Sequence, residues 1–459
     1  MKIPNMKTSI TRKTFLSVAG AFAGSSLFGA QGVPERRRSF GPNEKLRHAC
    51  IGVGGMMGGH DFGQFKSHAR TEIVAICDVD ENNLARAGAQ VPNARRYRDW
   101  REMLEKEDLD SINVTVPDHQ HAIITRAAMA KGKNVYCQKP LCHDVAECRQ
   151  VAEDAAKYDV ITQLGTQHAA GGGDRLTVQY LRQGMIGAIK RVYLCSNRTG
   201  AEQYRLMGPL PPRGIAAPKT LAWDLWLGTA PVHQYVPEIF HPSKWRTWID
   251  FGTGWSGDIG CHIFDAVWKG MNLGAAAPKT VRAQVQEAWK NSPARRKDAW
   301  PQSNHITWEF DGVPATDGKP FTMDWFDGEF YPPEEAQAVA RAAGLQRVPE
   351  EACVVIGTEG SLVMQHAKLP FVVLKDQVIK KHPKMPYINH YHEFLDACLA
   401  NRPCASTFQK VGPMAETIIL GTVANRCPEE KLVWNPTAFN FANSASATKL
   451  LRRDYRKGW

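Results

Sequence analysis

Residues 46–78 constrain the fold of this 459-residue chain more than any other stretch. A short apolar run, 46–51, leads into Gly52-Val53-Gly54-Gly55, a segment of helical pattern follows, and a second apolar run, 72–77, ends on Asp78. Strand, glycine turn, helix, strand and acid in this order is what a dinucleotide needs. Gly52 is expected to make the tight turn. Gly54 lacks a side chain, so a diphosphate can approach the backbone at Gly55, Met56 and Met57, where the free N–H groups of a helix start point outward. Asp78 comes 26 residues after Gly52. Its carboxylate can accept both hydroxyls of an adenosine ribose and would repel a 2′-phosphate, which favours NAD over NADP. The third glycine of the G-x-G-x-x-G pattern is replaced by Met57, with Gly58 and Gly59 directly after it. That glycine lets helix and strand pack closely, so the helix start is expected one residue late.

The net charge of +11 points to nucleic acid until it is located. The first 50 residues carry nine Lys or Arg against two acids, and residues 449–459 carry five against one, which leaves the body between them neutral. A nucleic-acid groove needs a clustered basic face, so no nucleic-acid partner is expected. Part of the N-terminal charge sits in Thr11-Arg12-Lys13-Thr14-Phe15-Leu16, ahead of an apolar, alanine- and glycine-rich run to Ala30. This resembles a twin-arginine export signal, with Lys13 in place of the second arginine. Residues 1–31 therefore read as an export signal and 32–45 as a linker, with a periplasmic or extracytoplasmic destination. No other apolar stretch is long enough to span a bilayer. The eleven cysteines form no C-x-x-C; Cys50, Cys77, Cys195, Cys353 and Cys398 read as small buried hydrophobes.

From 46 to 165 strands and helices alternate. Strands are expected at 46–51, 72–77, 111–116, 134–136 and 161–164, and helices at 82–89, 100–106, 121–131 and 146–158. A doubly wound parallel sheet of the Rossmann type follows. Beyond 165 the strand runs lengthen: 189–196, 281–288, 305–310, 321–325, 353–356, 361–364 and 371–374. They suggest an α+β domain over 166–435 built on an open, mostly antiparallel sheet, closed by helices at 390–400 and 412–424. Residues 197–220 and 231–242 are Pro- and Gly-rich loops of a length usually found at functional sites. Residues 436–459 form a basic tail, solvated or pinned by Trp459.

Two further motifs carry chemistry. Val135-Tyr136-Cys137-Gln138-Lys139-Pro140 ends a strand on the carboxyl edge, where α/β sheets place ligands. Gly257-Asp258-Ile259-Gly260-Cys261-His262, followed by Asp265, sets Asp258 and His262 at i and i+4, on one face of a helix. Oxidising a secondary alcohol needs a proton acceptor tuned near working pH, for which histidine suits. It needs a cation or donor for the developing alkoxide, for which lysine suits. It also needs a hydride acceptor that side chains cannot supply. Singly, Lys-Pro is a common turn and D-x-x-x-H is often a helix salt bridge. A metal reading of Asp258 and His262 with His119 or His168 lacks any tight ligand cluster, so no metal is expected.

Together with Pro117-Asp118-His119-Gln120-His121 and the glycine turn, these motifs resemble the glucose–fructose oxidoreductase / inositol dehydrogenase / rhizopine-catabolism (Gfo/Idh/MocA) family over nearly the whole chain after the linker. Trp223-Asp224-Leu225-Trp226-Leu227-Gly228 and the ending from Tyr455 to Trp459 resemble its exported branch. The resemblance implies Lys139 beside the nicotinamide and the reacting hydroxyl, Asp258 holding substrate hydroxyls and His262 as general base. It also implies that Gln138 replaces a glutamate and removes a charge near the lysine, and that the open sheet forms a dimer or tetramer interface. Pro117 and His121 are expected on the nicotinamide side, with His119 a solvated neighbour. Gln167 and His168 are expected near the cleft. Tyr204, Trp245, Arg246 and Trp255 either stack on and hydrogen-bond a sugar ring or pack the base of a loop. An exported enzyme meets no free NAD pool, so a bound, recycled cofactor is expected. The favoured activity is NAD-dependent oxidation of a secondary hydroxyl of a sugar, glycoside or cyclitol. A second reading is a glycoside hydrolase or lyase that oxidises C3, eliminates the C1 substituent, adds water and reduces the ketone. A third is a non-catalytic carbohydrate-binding relic.

Overall fold

Six strands, five of them apolar runs, build a parallel sheet. They are β1 (Leu46–Ile51), β2 (Thr71–Cys77), β3 (Arg95–Tyr97), β4 (Ser111–Val114), β5 (Asn134–Gln138) and β6 (Thr162–Gly165), in the order β3-β2-β1-β4-β5-β6. This is the two-halved dinucleotide-binding order, with its crevice at the carboxyl ends of β1 and β4 where the winding reverses. The computed structural model describes residues 38–198 and 207–459. Residues 1–31, read as an export signal, residues 32–37 of the linker and Tyr204 lie outside the described residues. β3 is an addition to the sequence reading. Its three residues bury only Tyr97, so no alternation announces it.

The second sheet has ten strands: β7 (Ile189–Ser196), β8 (Pro278–Val285), β9 (Asn304–Phe310), β10 (Phe321–Asp327), β11 (Glu351–Gly357), β12 (Gly360–Gln365), β13 (Phe371–Leu374), β14 (Val378–Ile379), β15 (Leu432–Asn435) and β16 (Asn440–Phe441). Their order is β14-β13-β12-β11-β7-β10-β9-β8-β15-β16, and β7–β10 is the one parallel pair among them. Side chains alternate across this sheet. Val192, Leu194, Trp308 and Trp325 face a core shared with the helix Gly254–Gly270, which packs between the helices Gly172–Arg182 and Phe408–Arg426. Tyr193, Cys195, Val354 and Val363 face the other way and are covered by Ala336 and Ala340 of the helix Glu334–Ala342. Neither Gly172–Arg182 nor Glu334–Ala342 is among the helices expected from sequence. The first opens beside three glycines in a row, which read as loop.

Two C-terminal segments pack on the parallel-sheet domain. The helix His390–Ala400, counted with the second domain, packs Tyr391, Phe394 and Leu395 on Phe62, Phe65 and Tyr136 of the parallel-sheet domain. The tail at 436–459 takes the second of its two alternatives: it is pinned by Trp459, with many residues before it still exposed. It supplies β16, buries Trp459 and returns Arg453 to the parallel-sheet domain. There Arg453 donates to Glu147 Oε1 from Nη2 at 2.7 Å and from Nε at 3.1 Å, and its backbone N–H donates to Asp144 Oδ2 at 3.1 Å. Asp144 and Glu147 already form the capping box of the helix Val145–Tyr158. All eleven cysteines are buried free thiols. Among the described residues no helix is long and apolar enough to cross a membrane.

Replacing Arg453 with methionine strips the cation from two buried carboxyls and is expected to cost about 3 kcal/mol or more in urea unfolding, because an uncompensated buried charge remains. Arg453→Met with Glu147→Gln should lose less than Arg453→Met alone.

Candidate active site

The nucleotide end is built from backbone. Gly52 has φ +80°, and a Cβ there would lie 2.0 Å from the Thr115 carbonyl oxygen, so the turn admits glycine alone. The helix Gly55–Lys66 follows with Gly54 as N-cap and no side-chain cap, leaving its first N–H groups to a ligand. The close-packing role falls to Gly58, whose Cβ would stand 2.9 Å from the Gly52 carbonyl oxygen, one residue after the usual third glycine. A Cβ at Gly54 would overlap the Asn83 amide. Asp78 is buried at the end of β2. It accepts hydrogen bonds from Val53 N–H at 3.0 Å, Asp80 N–H at 2.9 Å and Asn83 Nδ2 at 3.2 Å. Burial pushes its carboxyl pKa up against these donors.

A cavity runs from Gly52, Gly54, Gly55, Met56, Met57 and Asp78 past Thr115 and Pro117 to Gln138, Lys139, Trp245 and Arg246. Leu225, Trp226, His241 and Pro242 wall it from the second domain. That wall is fastened beside β2. Ala222 N–H donates to Val79 O at 2.9 Å, Glu81 N–H to Thr220 O at 3.0 Å, and His241 Nε2 lies 3.2 Å from Asp80 Oδ2. The glycine cradle, the uncapped helix start and the acid closing β2 fit a dinucleotide.

At the far end two domains meet on a charge pair. Lys139 Nζ donates to Asp258 Oδ1 at 2.6 Å and to the Asp258 carbonyl oxygen at 3.2 Å. Arg246 Nε lies 3.6 Å from Asp258 Oδ2, with its guanidinium over the Trp245 ring. Burial opposes ionisation of Asp258, but Lys139 and then Arg246 outweigh it and hold the carboxyl below its usual range. One turn along the helix Gly254–Gly270, His262 is buried and its Nδ1 has no hydrogen-bond partner. Burial first, then the Lys139 charge, presses its pKa well down, so the imidazole is neutral. Asp118, also buried, accepts from Thr253 Oγ1 at 2.9 Å. Desolvation, followed by repulsion from Asp258, moves its carboxyl up towards neutrality. Nothing in the sequence singles out Asp118 from its motif, because its environment is assembled from Thr253, Asp258 and Arg246.

Other expected residues fall elsewhere. His121 does not line the cavity. Its Nδ1 and Nε2 lie 2.6 Å from Pro140 O and 2.8 Å from Val116 O, bracing two cavity walls from behind. His119, expected in solvent, is fully buried, with Nε2 3.1 Å from Trp226 O. Trp255 is core: its indole N–H donates to Ser196 O at 2.9 Å and Arg198 lies over its ring. Gln167 and His168 form a short turn, Gln167–Ala170, where the second domain begins, and neither lines the cavity. His168 instead meets His366, a residue with no signal in the sequence. The His168 and His366 ring centroids are 4.5 Å apart, and His366 is 5.2 Å from His262. Among the described residues no three His, Cys, Asp or Glu side chains are placed to hold a metal ion.

Comparison with known proteins agrees with this geometry. Residues 46–166 match the family profile described as oxidoreductase family, NAD-binding Rossmann fold, and residues 177–313 match its C-terminal alpha/beta domain. Inositol 2-dehydrogenase of Klebsiella pneumoniae is 33% identical over 119 residues, 25% of this chain and 35% of that protein. Glycosyl hydrolase family 109 protein 1 of a Shewanella species is 24% identical over 204 residues, 39% of this chain and 44% of that protein. The chain thus spans about a third to under half of the length of these curated relatives. The WlbA dehydrogenase of Bordetella pertussis, solved with NADH and UDP-GlcNAcA, shares the fold with a TM-score of 0.60 at 14% identity, over 85% of this chain and 99% of that one.

The raised carboxyl of Asp118 sets a pH dependence. In acid both folded and unfolded chains hold its proton. Above about pH 4 the unfolded chain releases it first, so this group costs stability as pH rises towards neutrality. Asp118→Asn should melt with the parent protein near about pH 4 and above it by about pH 7.5.

Proposed function

The chain belongs to the Gfo/Idh/MocA oxidoreductase family, and on that premise we propose that it oxidises a secondary hydroxyl of a sugar, glycoside or cyclitol with a captive NAD. The observation that carries this is the Lys139–Asp258 pair: Lys139 and Arg246 line the end of the dinucleotide cavity, Asp258 lies behind them and His262 one helical turn further on, neither of these two lining the cavity itself. NAD, when bound, accepts the hydride and returns it. The neutral His262 takes the hydroxyl proton onto a ring nitrogen. Lys139 donates to the oxygen as negative charge grows there. Asp258 and Arg246 orient neighbouring hydroxyls, and Trp245 offers an apolar wall. Asp78 at the ribose end disfavours a 2′-phosphate, hence NAD rather than NADP.

Retention is supported by the fastened wall from Thr220 to Pro242, which lines the cavity from the second domain and would cover a bound nucleotide. It suits the proposed route, in which the signal-like residues 1–31 lead a folded, loaded protein out of the cytoplasm. A dimer or tetramer belongs to the same proposal. Helix Glu334–Ala342 covers part of the outer sheet face, so self-association would use the polar remainder around Arg282, His305 and Glu309. Asp118 favours a second reading. A carboxyl that keeps its proton near neutrality could serve the leaving group of a glycoside, and the Shewanella relative is named a glycosyl hydrolase.

Mass spectrometry of the nucleotide released from denatured protein should find NAD or NADH in near-stoichiometric amount; none at all would favour a carbohydrate-binding relic. Release of nitrophenol from nitrophenyl glycosides without added NAD would select the hydrolase reading. Lys139→Met should lower turnover by about a thousandfold or more while nucleotide content stays at the parent level; unchanged turnover removes Lys139 from the site.

A further inference from the structure

Asp61 is fully buried on the nucleotide helix, and the proposed chemistry gives it no task. Its Oδ1 accepts from Tyr391 OH at 2.7 Å. Its Oδ2 accepts from Gln138 Nε2 at 2.8 Å and from Thr115 Oγ1 at 2.9 Å. The other end of the Gln138 amide, Oε1, accepts from the backbone N–H of Lys139 at 3.1 Å. A carboxylate only accepts, so it dictates which end of the amide faces it. Turned round, the amide would set its NH2 against the Lys139 N–H and its oxygen against the carboxylate. The amide is also tightly enclosed: a Cβ on Gly165 would stand 2.9 Å from Oε1. A glutamate at this position would place two carboxylates in the 2.8 Å contact. Burial pushes the Asp61 carboxyl pKa up, against the pull of its three donors; ionised, it sets a negative charge beside this strand end, one side chain deeper than residue 138.

We propose that Asp61 is a positioning residue. Acting through the Gln138 amide, it sets the backbone of Lys139 and so aims the ammonium at Asp258. The proposal rests on the dehydrogenase reading for its consequence in turnover, but not for the orientation of Lys139. The titratable groups around Asp61 are Tyr391, Tyr136, Cys50 and the exposed His60, with Lys139 beyond Gln138.

The test uses the nucleotide-loaded protein and three variants: Gln138→Glu, Asp61→Asn and the two combined. Acetic anhydride is the probe, with acetylation of Lys139 followed by peptide mass spectrometry across pH. In Gln138→Glu, Lys139 should acetylate about tenfold faster than in the parent at about pH 8. That ratio should fall in acid, where the facing carboxyls share a proton. In the combined variant the amide and the carboxylate have changed places. The amide introduced at 61 donates to the carboxylate introduced at 138, which still accepts the Lys139 N–H, and labelling should return to within about twofold of the parent. Nucleotide content and a cooperative melt control for folding. Should Gln138→Glu fail to fold, Asp61→Asn alone must still label faster. Parent-like labelling in Gln138→Glu at every pH, a combined variant as fast as Gln138→Glu, or parent-like labelling in Asp61→Asn would overturn the proposal. Rescue of labelling in a protein that turns over no polyol or glycoside would support it and count against the dehydrogenase reading.

Discussion

A half-buried ammonium and a buried carboxylate, 119 residues apart in sequence, meet at 2.6 Å, and the charge balance at this end of the cavity depends on that contact. Arg246 faces the other carboxylate oxygen, so Asp258 sits between two cations. Lys139 stands at the carboxyl end of β5 because a parallel strand delivers its last residues to the crevice. Asp258 stands opposite because the helix Gly254–Gly270 begins there. The pair also sets its surroundings: the Lys139 charge helps keep His262 neutral, and the Asp258 charge helps keep Asp118 protonated. Burial is the larger cause of both shifts, and the ion pair adds to it.

The nucleotide end follows a different logic, since backbone carries it. Gly52 and Gly58 are required by close approach, and the helix start offers N–H groups that no side chain claims. Asp78, at the end of β2, is held in place by three donors. The wall from Thr220 to Pro242 is fastened beside this end by two main-chain hydrogen bonds and the His241–Asp80 contact.

What is legible in the sequence is whatever repeats locally. Alternating apolar runs and helical spacing mark the parallel strands except β3, whose two exposed arginines hide it. The i, i+4 placement of Asp258 and His262 is readable because a helix alone fixes it. Residues whose roles depend on distant partners are not readable. His121 and His119 serve main-chain carbonyls, which leave no mark in a residue pattern. Trp255 looks the same in sequence whether it walls a cleft or fills a core. Asp61 and His366 sit in ordinary stretches and acquire meaning only when Gln138 and His262 are folded against them.

Arg453 lies 306 residues after the Glu147 it neutralises. Two acids at a helix start of the parallel-sheet domain thus take their counter-charge from a residue far along the chain. That contact closes one long loop, and through it the stability of the helix Val145–Tyr158 is tied to the C-terminal segment.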